Sequence, residues 1–222
     1  DVLSPIVRVA CDRLLKHVNR VYEESPPSTP NPVKAETMEE ILPKVNKVVA
    51  DTETFVKERV HQDTGKSQPV GIDDACMFLA RFQNGSMGTF ESTRYARGRK
   101  NFNTFELNGQ DGSCHFDLED PQYLDFFEHT RNADGEKVED HLTGWRRIHT
   151  TNFEHPYMDR WWVPGCTIGY EHTFINALAD FLIGVDEGKA AQPDFRCALQ
   201  TQQVCDAVIE SAKIGQWCEV GS

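Results

Sequence analysis

The stretch "ACMFLARFQNGSMGTFESTRY", residues 75–95, has the pattern of a β-hairpin. Apolar and polar residues alternate on both sides of "QNGS", and alternation with a period of two is typical of strands. The Asn84-Gly85 pair supplies the positive φ angles that a tight hairpin turn requires. We therefore predict strands from Ala75 to Phe82 and from Met87 to Tyr95.

Similar patterns predict further strands on both sides of this hairpin. The stretch "VNKVVADTETFVKERV" (45–60) is rich in β-branched residues, which predicts a strand followed by a polar segment. A second hairpin is predicted around "NGQDG", with strands at Asn103–Leu107 and Ser113–Leu118. Tyr123–Phe127 and Arg147–Thr151 are the remaining strand candidates.

Helical periodicity dominates the last third of the chain and its first residues. One apolar face is formed by Phe174, Leu178, Phe181, Leu182 and Val185, which predicts a helix over 173–185. A second helix is predicted from Ala198 to Trp217. Its small-residue face can lie close against a sheet and consists of Val204, Ala207, Val208, Ser211 and Gly215. Residues 4–22 and 35–42 also have helical patterns, and the proline-rich "ESPPSTPNP" (24–32) predicts a linker between them.

A run of strands followed by helices predicts an α+β fold with a large open, predominantly antiparallel sheet and helices on one face. We expect residues 45–222 to form this domain, and residues 1–44 to form a preceding helical segment and linker. Apolar residues alternate along the hairpins, so the sheet face opposite the helices also needs cover. This predicts a homo-oligomer that associates through the sheet.

The overall composition excludes several classes of function. The 222 residues carry a formal net charge of -12, which argues against a nucleic-acid partner. The basic stretch "RYARGRK" (94–100) is short and contains a single aromatic residue, which favours a local anion contact over a nucleic-acid groove. We find no apolar run of about 18 residues and no signal-peptide pattern, so we predict no membrane segment. Seven cysteines without a CxxC pair are typical of free thiols, which predicts a cytoplasmic protein.

An ordered series of motifs resembles a known family over about residues 45–220. The series is "DTETFVKER", "DDACMFLARFQNGSMGTFESTRYARGRKN", "FELNGQDGS", "FDLED", "WWVPG", "GYEHTF", "DFL" and "QVCDAVIESA". In this order it resembles the C-terminal domain of the glucose-fructose oxidoreductase, inositol dehydrogenase and MocA (Gfo/Idh/MocA) family. The resemblance implies an enzyme of two halves. A Rossmann domain would bind NAD or NADP, and this domain would cover the nicotinamide, line the pocket of a sugar or cyclitol, and make oligomer contacts. The implied reaction is hydride transfer.

Other family features are absent from these 222 residues. There is no strand–GxGxxG–helix fingerprint for a dinucleotide and no Glu-Lys-Pro stretch to supply the family's catalytic lysine. Asp12 and His17 do not match the family's Asp-x-x-x-His arrangement, so catalytic and cofactor-binding residues stay unassigned. We expect either a fragment or a natural stand-alone domain. The first hypothesis is the substrate-binding part of a sugar oxidoreductase; the alternative is a non-catalytic accessory module that self-associates or binds a partner.

The stretch "WWVPGCTIGYEHTF" (161–174) contains four of the five candidate substrate-binding residues. His172 has a side chain whose ordinary pKa is about 6.5, and it can hydrogen-bond a sugar hydroxyl; alternatively it caps or packs the start of the helix. Trp161 and Trp162 can each offer a flat apolar face to a sugar ring. Adjacent residues of an extended segment point in opposite directions, so at most one of the two faces a pocket. Tyr170 has the same two interpretations.

The fifth candidate is Arg94, at the end of a hairpin strand, where it can contact a substrate hydroxyl or a cofactor phosphate; the alternative is a solvated strand end. Five histidines between 115 and 155 lie near acidic residues and raise the question of a metal site. No two of them have the spacing HxH or HExxH, so we predict no metal.

Overall fold

The structure of the chain is a computed structural model that describes residues 44–109, 112–128, 141, 143–191 and 193–221. The helices predicted at 4–22 and 35–42, and the linker between them, lie outside these residues. The described residues fall into two compact units, each of which is described by itself. Unit I contains residues 44–99 and 193–221, and unit II contains residues 100–191.

Ten strands and two α-helices are described, and all strand pairs are antiparallel. In chain order the strands are β1 (Val45–Glu53), β2 (Glu58–Val60), β3 (Ser67–Pro69), β4 (Ala75–Phe82), β5 (Met87–Thr93), β6 (Thr104–Asn108), β7 (Gly112–Asp117), β8 (Tyr123–Glu128), β9 (Arg146–His149) and β10 (Cys218–Glu219). The helices are α1 (Tyr170–Asp186) and α2 (Phe195–Ile214), and a short 3-10 turn covers Met158–Arg160.

Unit I contains a four-stranded sheet in the order β10-β1-β4-β5, with α2 packed on one face, and the separate two-stranded ribbon β2–β3. The hairpin predicted from "QNGS" is confirmed as β4–β5, with Gly85 at φ 88° in its turn. The core joins the sheet to the helix through the buried residues Val48, Ala80, Ala207 and Val208. The prediction that the small-residue face of the last helix lies against a sheet is therefore confirmed.

Ser211 joins three parts of unit I. Strand β10 pairs with β1 only at Lys47 and Val48, so the same edge of β1 lacks a strand partner further along. At that edge the Ala50 N–H donates to Ser211 Oγ at 2.9 Å, and the Ser211 hydroxyl donates to the Gln216 carbonyl at 2.6 Å. A completely buried side chain of α2 thus takes the place of a strand partner.

The ends of α2 differ from the predicted range of 198–217. The Asp194 carboxylate accepts the N–H groups of Arg196 and Cys197 at 2.9 and 3.0 Å, so this N-cap starts the helix three residues earlier. Gly215 lies in the left-handed region at φ 66° and ends the helix. Gly215 is therefore the C-cap of α2 and not part of its packed face.

Unit II contains the second sheet, in the order β6-β7-β8-β9. One face is apolar, with Cys114, Phe116 and Leu124 in its core. The strand predicted at 147–151 is β9, which ends at His149 because the chain turns at Thr150 and Thr151. Both the N–H and the hydroxyl of Thr150 donate to the Gln122 carbonyl, at 2.8 and 3.0 Å, next to the Tyr123–His149 pair.

The predicted α+β class and its antiparallel pairing are confirmed. Where the sequence predicted one large open sheet, the described strands form two four-stranded sheets and the two-stranded ribbon β2–β3. Between β5 and β6 the chain makes successive turns, with Arg97 N–H donating to the Tyr95 carbonyl and Arg99 N–H to the Ala96 carbonyl. These turns interrupt the ladder. In the described part of the chain, no helix is both long enough and apolar enough to cross a membrane.

Candidate functional site

A polar stripe on helix α1 holds the preceding loop in unit II. His172, Asn176 and Asp180 are four residues apart, so they lie on one side of the helix. Each contacts an aromatic residue of the loop at 157–161. Three separate contacts along about two turns of helix thus fix the position of this loop.

Trp161 makes two of the three contacts. Its indole Nε1–H donates to Asn176 Oδ1 at 3.1 Å, and its ring meets the His172 imidazole with centroids 4.4 Å apart and planes at 60°. The indole thus has its polar partner within the protein, as is usual for a packed tryptophan. This geometry supports the structural interpretation of Trp161 more than a sugar contact.

Tyr157 makes the third contact, from an unusual backbone conformation. Its φ of 67° places it in the left-handed region, where it is the one non-glycine residue with positive φ in the described ranges. Such a conformation costs on the order of 1 kcal/mol and persists where the surroundings hold it. Here the Tyr157 hydroxyl donates to Asp180 Oδ2 at 2.7 Å, which fixes the start of the loop.

The side chain of His172 caps helix α1, whose N-cap residue is Gly169. The His172 Nδ1 accepts the Gly169 backbone N–H at 3.0 Å, and the His172 backbone N–H donates to the Gly169 carbonyl at 3.2 Å. The sequence left two interpretations of His172 open, a sugar contact and a helix cap, and the structure shows the cap. This role uses one ring nitrogen, and a contact between His172 and substrate stays a prediction.

Trp162 and Tyr170 present aromatic surface to solvent. Trp162 is 75% exposed, in contrast to its neighbour Trp161, as expected for adjacent residues of an extended segment. Tyr170 is 41% exposed, and its ring packs edge-on against Phe174 with centroids 5.1 Å apart. Of the four predicted substrate-binding residues in unit II, Trp162 and Tyr170 are therefore the two whose rings are available to stack on a sugar.

Arg94 belongs to unit I, whereas the other four predicted residues belong to unit II. It follows β5 directly, its N–H donates to the Asp74 carbonyl at 2.8 Å, and its side chain is exposed. Asp74 is buried, and its Oδ2 accepts the Val56 N–H at 2.8 Å. The backbone of Arg94 is therefore held in place by hydrogen bonds, and a contact between its side chain and a ligand stays a prediction.

A polar concavity of about 170 Å³ lies on the other face of the unit II sheet, and the sequence did not assemble it as a site. It is lined by His115, Asp117, Asp120, Tyr123, Asp125 and Arg147. His115 Nδ1 lies 3.4 Å from Asp125 Oδ2, and Arg147 pairs with Asp120 while its guanidinium covers the Tyr123 ring at 4.2 Å. The alternation of polar residues along β7 and β8 is the sequence pattern that could have predicted this concavity. The carboxylates of the concavity can accept hydrogen bonds from hydroxyl groups.

The described residues contain no group of three His, Cys, Asp or Glu side chains placed to hold a metal ion. His129, one of the five histidines considered for a metal, lies outside them. Burial raises the pKa of the Cys114 thiol to about 11, so this thiol stays protonated at neutral pH and is a poor metal ligand.

The two described helix starts do not fit the pyrophosphate of a nicotinamide dinucleotide. A phosphate at a helix N-terminus needs free N–H groups and no competing negative charge. The Glu171 carboxylate lies against Gly169 at the start of α1, with an oxygen 2.6 Å from where a Cβ on this glycine would be. Asp194 already caps α2. Within the described part of the chain, no helix start can thus hold the dinucleotide, and we assign it no residues.

Comparisons with known proteins match this fold and these motifs. The profile of the GFO/IDH/MocA C-terminal domain matches residues 35–115. Levoglucosan dehydrogenase of Pseudarthrobacter phenanthrenivorans is 36% identical over 157 residues, which cover 70% of this chain and 38% of that protein. The predicted resemblance to the C-terminal domain of the Gfo/Idh/MocA family is confirmed.

Solved structures agree with the Gfo/Idh/MocA resemblance. An oxidoreductase domain protein from Kribbella flavida is 41% identical with a TM-score of 0.72, over 80% of this chain and 45% of that one. Levoglucosan dehydrogenase in complex with NADH and levoglucosan is 32% identical with a TM-score of 0.72, over 83% of this chain and 47% of that one. The chain therefore spans less than half the length of each relative reported.

Proposed function

We propose that residues 45–222 are the substrate-binding and oligomerisation domain of an oxidoreductase that transfers hydride between NAD or NADP and a sugar or cyclitol. The observation that carries the proposal is the 36% identity to levoglucosan dehydrogenase over 70% of the chain. Solved structures of levoglucosan dehydrogenase are complexes with NADH and levoglucosan or with NADH and L-sorbose. In this proposal the nucleotide is bound by a Rossmann domain outside these residues, because the described helix starts do not fit it.

The surface around the start of α1 supports a sugar-binding role. Trp162 and Tyr170 offer exposed aromatic faces, and such faces pack against the C–H groups of a sugar ring. The contacts of Trp161 and Tyr157 with α1 hold the loop that carries Trp162. The site thus combines a fixed loop with an exposed aromatic side chain, which reduces the entropy lost when a ligand binds.

In this proposal the protein is cytoplasmic and homo-oligomeric. The cysteines that the structure describes are free thiols, which suits a reducing compartment. Self-association is supported by the exposed apolar side chains Met77, Leu79 and Met87 on the unit I sheet. The same observation favours the second candidate function, a non-catalytic module that only self-associates or binds a partner.

A fluorescence titration tests the sugar-binding proposal. The purified chain is titrated with levoglucosan, L-sorbose and myo-inositol, and its tryptophan emission is recorded. Trp162→Ala is expected to weaken binding at least tenfold, because stacking on an exposed aromatic ring is lost. Trp145→Phe is the matched control, since Trp145 is a half-exposed tryptophan of the same unit, away from α1 in sequence.

The outcomes separate the two candidate functions. Saturable binding that depends on Trp162 supports the enzyme-domain proposal. If no sugar binds while the chain still self-associates, the accessory module is the better description. A parallel titration with NADH tests the cofactor part, because saturable NADH binding to this chain alone would contradict our placement of the nucleotide in another domain.

A further inference from the structure

A tight turn follows the two tryptophans of the loop that precedes α1. The Cys166 N–H donates to the Val163 carbonyl at 3.2 Å, which closes a four-residue β-turn. Pro164 and Gly165 are its central residues, and Gly165 has a φ of 90°. Proline at the first central position and glycine with positive φ at the second are typical of a type II turn. We call residues 161–166 the tryptophan loop, and its last four residues set their own shape.

The turn leaves the N–H of Gly165 to a partner outside the tryptophan loop. In a β-turn the hydrogen bond joins the first and the fourth residue, so it does not use the N–H of the third. Here that N–H donates to Thr151 Oγ1 at 3.0 Å. Thr151 is completely buried, whereas Gly165 is exposed. A buried hydroxyl group thus holds the backbone of an exposed loop.

His149 fixes the orientation of the Thr151 hydroxyl. The His149 Nδ1 lies 2.7 Å from Thr151 Oγ1. A hydroxyl oxygen can accept two hydrogen bonds but has one hydrogen to donate, and a buried hydroxyl needs an acceptor for that hydrogen. Since the Gly165 N–H already donates to Thr151, we assign the hydroxyl hydrogen to the bond with His149 Nδ1. The His149 ring then carries its proton on Nε2, and Thr151 is kept as an acceptor for Gly165.

This series of hydrogen bonds begins at the sheet of unit II. His149 is the last residue of β9, and it pairs with Tyr123 of β8. The two rings also meet edge-on, with centroids 4.9 Å apart. Between His149 and Thr151, the N–H and the hydroxyl of Thr150 both donate to the Gln122 carbonyl. The backbone on the N-terminal side of Thr151 is therefore fixed to the sheet.

We propose that Thr151 is a positioning residue of the sugar site, which ties the tryptophan loop to the sheet and so sets the direction in which Trp162 faces its ligand. On the other side of Trp162, the Trp161 indole is held by Asn176 of α1. Three residues, 162–164, lie between Trp161 and Gly165, the two points where the loop is held. Fixing both ends of so short a segment reduces the entropy that Trp162 loses when a ligand binds. The inference rests on the proposed sugar-binding function and adds a residue that orients its site.

Amide hydrogen exchange, followed by NMR on the full chain, measures the bond between Gly165 and Thr151 directly. Gly165 is exposed, so its amide exchanges fast unless Thr151 accepts its hydrogen. Thr151→Val keeps the shape of the side chain and removes the hydroxyl, and it should speed exchange of the Gly165 amide about fivefold or more. Thr151→Ser retains the hydroxyl and should exchange within about twofold of the wild type.

Sugar titrations measure the consequence for the site. Tryptophan emission is recorded while levoglucosan, L-sorbose or myo-inositol is added to each variant. Thr151→Val should weaken binding about fivefold or more, because Trp162 is no longer kept in the orientation that the ligand needs, and Thr151→Ser should bind as the wild type does. In a Trp162→Ala background, Thr151→Val should cause no further loss of affinity, since the proposed role acts through Trp162.

Further variants separate this role from a loss of folding. Ser113→Ala removes another buried hydroxyl of unit II, which donates to Asn108 Oδ1 at 2.7 Å. It should lower stability in urea without changing Gly165 exchange or sugar affinity. If Thr151→Val does not fold, His149→Leu tests the same series of bonds, because it removes the acceptor of the Thr151 hydroxyl. His149→Asn keeps an acceptor near the position of Nδ1 and should behave more like the wild type.

The outcomes keep this inference apart from the proposed function. The inference is overturned if Thr151→Val leaves Gly165 exchange unchanged, or if exchange rises while sugar affinity stays that of the wild type. A further loss of affinity in the Trp162→Ala background would also overturn it, because Thr151 would then act on the whole fold. A wild-type chain that binds no sugar overturns the proposed function, and with it the role of Thr151 towards a sugar.

Discussion

Replacing Ser211 by alanine tests the polar contact that joins α2 to β1 in unit I. The Ser211 side chain is fully buried, and it accepts the Ala50 N–H at 2.9 Å and donates to the Gln216 carbonyl at 2.6 Å. In Ser211→Ala the half-buried Ala50 N–H loses its partner, which costs about 1–3 kcal/mol, whereas Gln216 is exposed and water can replace its lost bond. We therefore expect the free energy of unfolding to fall by about 1–3 kcal/mol.

Urea unfolding and amide hydrogen exchange measure this effect. With a slope of about 2 kcal/mol per molar urea, the midpoint of unfolding should fall by roughly 1 M with little change in slope. The Ala50 amide should exchange faster, because its acceptor is gone. Ser92→Ala, at an exposed position of β5, is the matched control and should change stability by less than about 0.5 kcal/mol. A loss below about 0.5 kcal/mol for Ser211→Ala, with the Ala50 amide still protected, would refute the proposed role of Ser211.

Three further predictions concern other parts of the chain. Trp161→Ala should lower the free energy of unfolding in urea by about 2–4 kcal/mol, because it removes a packed ring. Trp162→Ala should change it by less than about 0.5 kcal/mol, because Trp162 is exposed. Equal losses would contradict the assignment of Trp161 as packed and Trp162 as exposed. Iodoacetamide at pH 8 should label exposed Cys166 well before Cys114, whose pKa burial raises to about 11, and peptide mass spectrometry would show any reversal. The N–H groups of Cys197 and Arg196 lower the pKa of the Asp194 carboxyl in the folded protein. The cap therefore stabilises the fold fully at pH values above the unfolded pKa of Asp194, near 3.8. This stabilisation is lost as the pH falls through the lower pKa of the folded state. The difference in melting temperature between wild type and Asp194→Ala should therefore shrink in strong acid, and a constant difference would contradict this.

The sequence predicted the elements of unit I well because their signals are local. Asn84-Gly85 specifies its own turn, and the spacing of Ala207, Val208 and Ser211 specifies which side of a helix is buried. The caps are also local signals, but the apolar pattern alone predicts that the last helix starts at Ala198, and the cap at Asp194 starts it at Phe195. A local signal predicts a boundary only when the capping residues are included with the apolar ones.

The division into two sheets could not be predicted, because it depends on which strands pair. Each strand pattern shows that one face is buried, but it does not name the neighbouring strand. The turns after Tyr95 separate β5 from β6 along the chain, and their sequence "ARGRKN" is compatible with several loop conformations. The polar concavity was missed for the same reason, since His115, Asp125 and Arg147 are brought into one row by pairing between strands.

The capping role of His172 also limits what this residue can do for a ligand. Its Nδ1 accepts the Gly169 N–H, so the proton of a ring that caps in this way lies on Nε2. In this tautomer Nε2 can donate a hydrogen bond but has no lone pair to take a proton from a sugar hydroxyl. The lone pair of Nδ1 is already used by the Gly169 N–H. We therefore expect His172 to orient a substrate oxygen as a donor rather than to remove a proton from it. His172→Asn keeps a side-chain acceptor for the cap and should weaken sugar binding without the loss of helix stability that His172→Ala causes; equal loss of binding and stability in both variants would assign His172 to the cap alone.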